Sequence, residues 1–297
     1  MLERKAGMTT MAPQLIRCRA PAKVNLTLAV LGSRSDGFHE IESWVLPINW
    51  CDQLSLSASD QLSLRVEGAS KGVPEDASNL VRRATTALAQ AADREPAVAI
   101  VLEKSIPAEA GLGGGSSDAA STLMGLNRLW ELNWPIERLV PIAAEIGSDV
   151  PLFLNPGSVI IRGRGERVER LERGWNGRLV VVVPPYSVST KAVYEAWEAG
   201  ARSESLHSSP WDEPTLEGES LMARLYNDLE PAAFAVEPRL RKVHSALEEI
   251  GGRPVRMTGS GSAFFTIFDR QEPAEAWRAD VQSFLSSDFQ VRVFSAG

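Results

Sequence analysis

The sequence predicts an α+β protein made of two successive halves, and three features of the chain lead to that prediction. Its 297 residues exceed the usual size of one domain. In the first half, segments with strand-like patterns come before segments with helical patterns. In the second half, strands and helices alternate as they do in a split β-α-β arrangement. We expect one domain over residues 12–160 and a second over 161–297.

The first half begins with extended segments. Residues 15–31 are apolar and β-branched enough for strands, and Pro21 interrupts them. Over residues 53–66, apolar and polar residues alternate, which predicts a hairpin with its turn at 58–61. A short apolar run at 98–102 predicts another buried strand.

Three helices are expected in the rest of the first half. Residues 79–92 are rich in alanine, and residues 117–132 carry an apolar stripe at helical spacing. The third helix, 136–146, begins after Pro135, since proline is tolerated in a first turn. Pro141 is expected to interrupt it or split it in two.

The composition changes near residue 161. Residues 161–170 are rich in Arg, Gly and Glu, which predicts a turn or crossing between the halves. Beyond it we expect strands at 179–183, 255–257, 263–268 and 290–294, and helices at 190–199, 239–250 and 275–285. The polar segment 201–220 contains two prolines and is predicted to be a mobile loop.

Composition excludes several classes of function. The net charge of −7 argues against wholesale binding to nucleic acid or to anionic membranes, since both need a basic surface. Two cysteines and three histidines cannot form a disulfide framework or a zinc site with paired histidines. They fit a reducing compartment, so we expect a cytoplasmic protein. The start of the chain has no signal-peptide pattern, and no apolar run approaches the length of a membrane span.

The strongest indication of chemistry is the glycine-rich stretch 111–117, which stands between a predicted strand and a predicted helix. Glycines let the main chain approach a ligand closely, and the free N–H groups at a helix start attract anions. Ser116 or Ser117 is expected to cap the helix. The stretch lacks the lysine of a Walker A loop and the third glycine of a dinucleotide fingerprint. A flexible turn is the alternative, but the strand–loop–helix order favours a phosphate site.

Four other segments contain residues that could act in a binding or catalytic site, and each of them could instead have a purely structural role. Lys23 lies inside an apolar strand, where it is unusual unless paired, although a lysine can also protect a sheet edge. Asp149 follows a glycine and a serine, and it could be a turn residue. The small-residue loop 258–262 could be a tight hairpin, and His39 could belong to a plain turn.

Taken together and in this order, these segments resemble the GHMP kinase superfamily, which is named after galactokinase, homoserine kinase, mevalonate kinase and phosphomevalonate kinase. The segments 21–26, 36–39, 111–120, 147–151 and 227–229 are similar to those of members that phosphorylate cytidyl-methylerythritol in the non-mevalonate isoprenoid pathway. The resemblance runs from about residue 17 to the C-terminus. It implies a first domain like domain 2 of ribosomal protein S5 and a ferredoxin-like second domain.

The resemblance also implies a reaction. The γ-phosphoryl group of ATP is transferred to the 2-hydroxyl of the methylerythritol unit, with Mg²⁺ neutralising the phosphates. Asp149 corresponds to the catalytic base and Lys23 to the cation beside it. The sequence shows no evident magnesium ligands. The implied partners are the small-molecule substrate and ATP, and the chain is expected to be a monomer or a weak homodimer.

The binding residues come from the same resemblance. The ATP-binding residues it implies are Pro107, Gly111, Leu112, Gly113, Gly114, Gly115, Ser116 and Ser117. The substrate-binding residues it implies are Asn25, Phe38, His39, Asp149, Thr190 and Tyr194. Of these, Phe38 and Tyr194 sandwich the cytosine ring and His39 recognises its edge. The third motif of the superfamily corresponds to Thr258, Gly259, Ser260 and Gly261.

Two departures and three alternatives belong to this interpretation. Phe38 stands where the family has tyrosine, so a hydroxyl contact is lost. The Glu109 carboxylate would repel a triphosphate unless it is turned away or bound to metal. The alternatives are a GHMP kinase for mevalonate or homoserine, a non-catalytic nucleotide-binding regulator, and a scaffold with a glycine linker. Phe38, His39 and Tyr194 favour a cytosine ligand over the first alternative.

Overall fold

The computed structural model describes residues 14–68, 72–172, 175–200, 210–212 and 218–296, which form two β-sheets and the helices packed on them. The strands are β1 Leu15–Asn25, β2 Thr27–Ser33, β3 His39–Ala58, β4 Ser63–Gly68, β5 Val98–Lys104, β6 Val159–Gly163, β7 Arg167–Arg170, β8 Arg178–Val183, β9 Tyr226–Asn227, β10 Arg256–Met257, β11 Phe264–Phe268 and β12 Gln290–Ser295. The helices are α1 Leu80–Ala91, α2 Gly114–Leu129, α3 Ile136–Ile146, α4 Thr190–Glu198, α5 Gly218–Met222, α6 Glu230–Val236, α7 Pro238–Gly251 and α8 Gln271–Phe284.

The first sheet is organised around β3, a strand of 20 residues. The N-terminal part of β3 pairs with β2 and β6, and its C-terminal part pairs with β1 and β5. Pro21 does not end β1. It lies at a shift of register against β3, which is where a strand tolerates a residue without an N–H.

The predicted hairpin over 53–66 is wrong. Strand β5 lies between β3 and β4, and it pairs antiparallel with β3 but parallel with β4. A parallel connection needs a crossover, and α1 provides it. The alternation of apolar and polar residues correctly indicated the buried face of each strand, but it carries no information about which strand is the partner.

At 161–170 the expected turn is present at residues 164–166, but the alternative, a crossing between the halves, is wrong. Most of this segment forms β6 and β7, which pair antiparallel and extend the first sheet through β3. Its Arg and Glu residues lie at partly or fully exposed positions of the two strands and of the turn that joins them. The proposed domain boundary at 160/161 falls inside β6, and we keep the division into two domains as a proposal.

The helices of the first half agree with the sequence to within one residue, except that both ends of α2 lie three residues earlier than predicted. Asn79 caps α1 by accepting a hydrogen bond from the Val81 N–H. Helix α2 begins at Gly114, three residues before the predicted start, and the cap is Gly113 rather than a serine. Pro141 lies inside α3 without splitting it. Pro141 and Glu137, whose carbonyl it leaves unpaired, are both exposed, so water can satisfy that carbonyl.

The second sheet confirms the ferredoxin-like expectation. Its order is β10–β11–β8–β12, and all of its pairs are antiparallel. Helices α7 and α8 complete the β-α-β-β-α-β pattern. Most of the predicted mobile loop at 201–220 lies outside the described residues, and the part inside them holds a short 3-10 turn and the start of α5.

The two halves are joined by more than the chain. Strand β9 from the second half pairs parallel with β2, and the Asp228 N–H donates to the Leu28 carbonyl. The apolar cores lie under both sheets. None of the helices in the described part of the chain has the length and apolar character that a membrane crossing requires.

Candidate active site

A cavity of about 1040 Å³ lies where the two halves meet. Most of the predicted site residues line it: Lys23, Asn25, Phe38, His39, Pro107, Gly111, Leu112, Gly113, Gly114, Gly115, Ser116, Asp149, Thr190, Tyr194, Gly259 and Ser260. Three predicted residues lie behind its wall, namely Ser117, Thr258 and Gly261. Residues far apart in sequence therefore converge on one space that both halves enclose.

The glycine-rich stretch forms the start of α2. Gly113 has a φ of +70° and turns the chain into the helix. The Ser117 N–H donates to the Gly113 carbonyl as the first bond of the helix, and its hydroxyl is buried. The N–H groups of Gly114, Gly115 and Ser116 consequently have no partner within the helix. They can receive an anion at the positive end of the helix dipole.

Gly111 fixes this stretch against the second half. Its φ is +75°, and a Cβ placed on it would lie 2.3 Å from the Thr258 carbonyl oxygen. Any side chain would have to displace main chain, so only glycine fits. The Ala263 N–H donates to the Ala110 carbonyl directly beside this contact. The glycine-rich stretch and the third-motif loop thus touch through their backbones.

Lys23 lies beneath the glycine-rich stretch. Its side chain is only 4% exposed, so it does not protect a sheet edge from solvent. The main-chain N–H of Lys23 donates to the Leu112 carbonyl, and its Nζ donates to Asn25 Oδ1. Burial lowers the pKa of Lys23, while the Asp149 charge acts in the opposite direction. An ammonium group therefore faces the cavity with a carboxylate within electrostatic range.

Asp149 occupies the turn between α3 and the 3-10 helix Pro151–Leu154. It is half-buried and faces the cavity. Besides acting on Lys23, its charge adds to burial in raising the pKa of Tyr194. Asp149 is therefore close to both the lysine and the residues predicted to bind the base.

At one end of the cavity, His39 and Tyr194 stack on each other. Their ring centroids are 4.5 Å apart with an interplanar angle of 28°. His39 Nε2 lies 3.0 Å from Glu198 Oε1, although the alignment is too poor for a hydrogen bond. Phe38 is 44% exposed, and the Arg164 guanidinium lies 4.9 Å from its ring centroid. The partner of Tyr194 is thus His39, and Phe38 pairs with an arginine that the sequence did not single out.

Contacts between polar side chains tie the third-motif loop to both halves. The Asn25 N–H donates to Thr258 Oγ1 over 2.9 Å, which anchors the loop to β1. The hydroxyls of Thr190 and Ser260 lie 2.7 Å apart, which links the same loop to the start of α4. Thr258 therefore acts from behind the wall, while Thr190 and Ser260 face the cavity.

The sequence reasoning missed a buried charged cluster next to the glycine-rich stretch. Lys104 Nζ donates to Asp52 Oδ2 and, over 2.7 Å, to Asp118 Oδ2. Burial lowers the pKa of Lys104, but the two carboxylates together raise it above its ordinary value. Burial also raises the pKa of Asp118 to about 7, although Lys104 opposes that shift. The sequence feature that could have indicated this cluster is Lys104 at the end of an apolar strand.

Glu109 lines the cavity beside the glycine-rich stretch. Its main chain has a φ of +53°, and its carboxylate accepts a hydrogen bond of 2.9 Å from the Ser187 hydroxyl. This contact ties the carboxylate to the β8–α4 connection. The repulsion of a triphosphate that the sequence led us to expect stays a prediction.

Comparisons with known proteins give a consistent result. Residues 79–157 match the family model described as GHMP kinases N terminal domain, and residues 216–286 match GHMP kinases C terminal. A 4-diphosphocytidyl-2-C-methyl-D-erythritol kinase of Chlorobium phaeobacteroides is 41% identical over 265 residues, which are 88% of this chain and 92% of that protein. One of Pelotomaculum thermopropionicum is 38% identical over 288 residues, which are 94% of this chain and 100% of that protein.

Solved structures agree with these relatives. A crystal structure of 4-(cytidine 5'-diphospho)-2C-methyl-D-erythritol kinase is 32% identical, with a TM-score of 0.73, and the match covers 95% of this chain and 100% of that one. A homoserine kinase from Cytophaga hutchinsonii has a TM-score of 0.70 at 20% identity, covering 100% of this chain and 97% of the other. The second likeness shows the fold alone. The predicted fold class is confirmed.

Proposed function

Because the chain belongs to the family of 4-diphosphocytidyl-2-C-methyl-D-erythritol kinases, we propose that it transfers the γ-phosphoryl group of ATP to the 2-hydroxyl of 4-diphosphocytidyl-2-C-methyl-D-erythritol. The products are the 2-phosphate and ADP. The chain is an ATP-dependent kinase of the methylerythritol phosphate pathway to isoprenoids. The observation that carries the residue assignments is the convergence of Lys23, Asp149 and the start of α2 on one cavity.

The start of α2 binds the ATP phosphates in this proposal. The unpaired N–H groups of Gly114, Gly115 and Ser116 supply main-chain donors, and the helix dipole adds a favourable field. The cytosine-binding residues lie at one end of the cavity. The adenosine therefore occupies the other end, which residues 73–80 line beside Lys104.

Asp149 and Lys23 carry out the chemical step. Phosphoryl transfer has a loose transition state, so positioning and charge stabilisation provide most of the catalysis. The Asp149 carboxylate accepts the proton of the 2-hydroxyl as the oxygen attacks the γ-phosphorus. The Lys23 ammonium orients that hydroxyl and offsets the charge on the transferred group. The bond from the γ-phosphorus to the bridging oxygen breaks, and ADP leaves.

Magnesium fits this site through few protein ligands. The described residues contain no group of three or more carboxylate, histidine or cysteine side chains that could hold a metal ion. Mg²⁺ in kinases needs only one or two protein ligands, because substrate phosphates and water supply the rest. Ser116 faces the cavity with a hydroxyl oxygen of the kind that this ion binds, so Ser116 is our proposed ligand, and Asp149 stays free to accept the proton. When bound, the ion neutralises phosphate charge.

The end of the cavity with His39 and Tyr194 binds the cytosine. Tyr194 offers a partly buried aromatic face, and stacking of a base on such a face is worth roughly 1–3 kcal/mol. His39 currently covers that face, so we propose that it shifts to the edge of the base when the cytidyl group enters. Phe38 and Arg164 form the outer side of the same region.

The test is a measurement of ADP formation with three acceptors side by side, namely the cytidyl substrate, mevalonate and homoserine. We expect turnover with the first alone. Turnover with mevalonate or homoserine instead would contradict the proposal.

In addition, His39→Ala and Tyr194→Ala should raise the KM for the cytidyl substrate about 5- to 100-fold while leaving the KM for ATP nearly unchanged. Equal changes in both constants would remove these residues from the cytosine site.

The remaining alternatives are weaker. A non-catalytic regulator would not need Lys23 and Asp149 together in the cavity, and a glycine linker would not begin a helix packed into the core.

We further propose the cytoplasm as the compartment and a monomer or weak homodimer as the assembly state. The few cysteines and histidines support the former.

A further inference from the structure

The segment 227–229 resembles a family motif, but the mechanism above gives it no role. Asn227 lies in β9 and is 5% exposed. Its Nδ2 donates to the Met257 carbonyl and to the Gly259 carbonyl, both over 2.8 Å, and its Oδ1 accepts from the Leu229 N–H over 2.9 Å. Both N–H groups of the side-chain amide therefore donate to the segment 257–259, which runs from the end of β10 into the loop that follows.

That loop is the third motif, and its position matters for Lys23. Gly259 has a φ of +58°, and a Cβ placed on it would lie 3.1 Å from Lys23 Nζ and 3.1 Å from the Gly111 carbonyl oxygen. The adjacent Thr258 accepts the hydrogen bond from the Asn25 N–H. The loop therefore lies directly against Lys23, Asn25 and the glycine-rich stretch, and its displacement would change the surroundings of all three.

Asn227 itself is held by the first sheet. Strand β9 pairs with β2, and Asp228 Oδ2 accepts a hydrogen bond of 2.9 Å from the Val30 N–H. From the other direction, the Glu230 carboxylate accepts a hydrogen bond of 2.6 Å from the Met257 N–H. Met257 and Gly259 are thus fixed to the segment 227–230, and that segment is itself bound to β2 of the first half.

We propose that Asn227 is a positioning residue for phosphoryl transfer: its amide holds the 257–259 segment against Lys23 and so fixes the ammonium beneath the phosphate-binding stretch. The inference rests on the proposed function of Lys23. Asn227 does not line the cavity. Its loss should therefore reduce turnover far more than it weakens the binding of either substrate.

The decisive variant is Asn227→Asp, which keeps the shape but points an oxygen at two carbonyl oxygens. Because a misplacement of about 1 Å can reduce a rate about 100-fold, we expect a fall in kcat of that order with both KM values within about threefold of wild type. Asn127→Asp is the matched control. Its amide also bonds main-chain groups, the Trp134 carbonyl and N–H, but at the surface end of α2. We expect wild-type kcat for it.

A second readout does not depend on turnover. Acetylation of lysines by an amine-reactive ester, mapped by mass spectrometry, reports how accessible Lys23 is, and the buried Lys104 serves as an internal reference. In Asn227→Asp, labelling of Lys23 should rise several-fold while labelling of Lys104 stays at its wild-type level. A parallel rise at both lysines would indicate general unfolding and would overturn the inference.

The outcomes separate this inference from the proposed function. If the wild-type protein does not phosphorylate the cytidyl substrate, the proposed function fails, and the acetylation result still decides whether Asn227 holds the loop. If the wild type is active and Asn227→Asp retains its kcat, this inference alone is wrong. Should Asn227→Asp not fold, Asn227→Ala takes its place, since it removes the amide without introducing a charge.

Discussion

Two buried lysines face the same cavity in opposite electrostatic situations. Lys104 is held by Asp52 and Asp118, and its pKa is raised. Lys23 donates to a neutral amide, and burial lowers its pKa. A lysine bonded directly to two carboxylates stabilises the fold, whereas one whose charge is only partly compensated, here by Asp149, can act on a ligand. We therefore propose a structural role for Lys104 and a chemical role for Lys23.

The largest expected effect is on turnover. Lys23→Met should lower kcat about 100- to 1000-fold, because it removes a preorganised charge from the transition state. Its free energy of unfolding should equal or exceed that of the wild type, because a buried ammonium without a carboxylate contact is unfavourable. Steady-state assays and urea unfolding measure the two quantities. A stable variant with nearly normal kcat would contradict the chemical role.

The second effect concerns stability. Lys104→Met leaves the buried carboxylates of Asp52 and Asp118 without their cation, so the free energy of unfolding should fall by about 3–5 kcal/mol. Urea unfolding measured beside Lys23→Met provides the contrast. Equal stabilities of the two variants would show that the two lysines do not differ in the way proposed here.

A third effect is the pH dependence of kcat. Because the pKa of Lys23 is lowered, its ammonium group loses its proton as the pH rises through a value that lies below the ordinary lysine pKa of 10.5. Activity should therefore decline on the alkaline side by about tenfold per pH unit beyond that lowered pKa. Since Asp149 raises the pKa of Lys23, Asp149→Asn should shift the decline to lower pH in whatever rate remains. A plateau extending past the ordinary lysine value would contradict the assignment.

The smallest effect involves Asp118, whose folded-state pKa is raised to about 7. The folded chain then binds a proton that the unfolded chain releases near pH 4, so the contribution of this group to stability decreases as pH rises from about 4 to about 7. Asp118→Asn should reduce that slope by about 1.4 kcal/mol per pH unit between those two pH values. Urea unfolding at several pH values tests it, and an unchanged slope would show that Asp118 does not titrate there.

Local sequence patterns predicted most of the elements and failed where partners had to be known. A short apolar run located β5 and an alanine-rich stretch located α1, but neither could show that β5 lies between β3 and β4. Segment 161–170 was misjudged because its charged residues concealed two short strands. The contact of Asp52 with Lys104 could not be predicted either, because a contact between residues far apart in sequence produces no pattern in the residues next to them.

The candidate site was predictable to a similar extent. Glycines before a helix have a local physical signature, and the family resemblance supplied Lys23, Asp149 and the cytosine-binding residues. The resemblance did not provide the contact of His39 with Tyr194, the rotation of Glu109 toward Ser187, or the bonds that Asn227 makes with a loop 30 residues away. These depend on how the two halves are placed against each other.

The close approach of Gly111 to the Thr258 carbonyl has a consequence for how the protein is made. A ribosome releases the whole glycine-rich stretch long before it synthesises residue 258. Until that later segment arrives, the nascent chain has the start of α2 without the main chain that packs against Gly111. The cavity is therefore completed only after residue 258 has been made, and termination before that residue would yield a chain that carries the glycine-rich motif without the cavity.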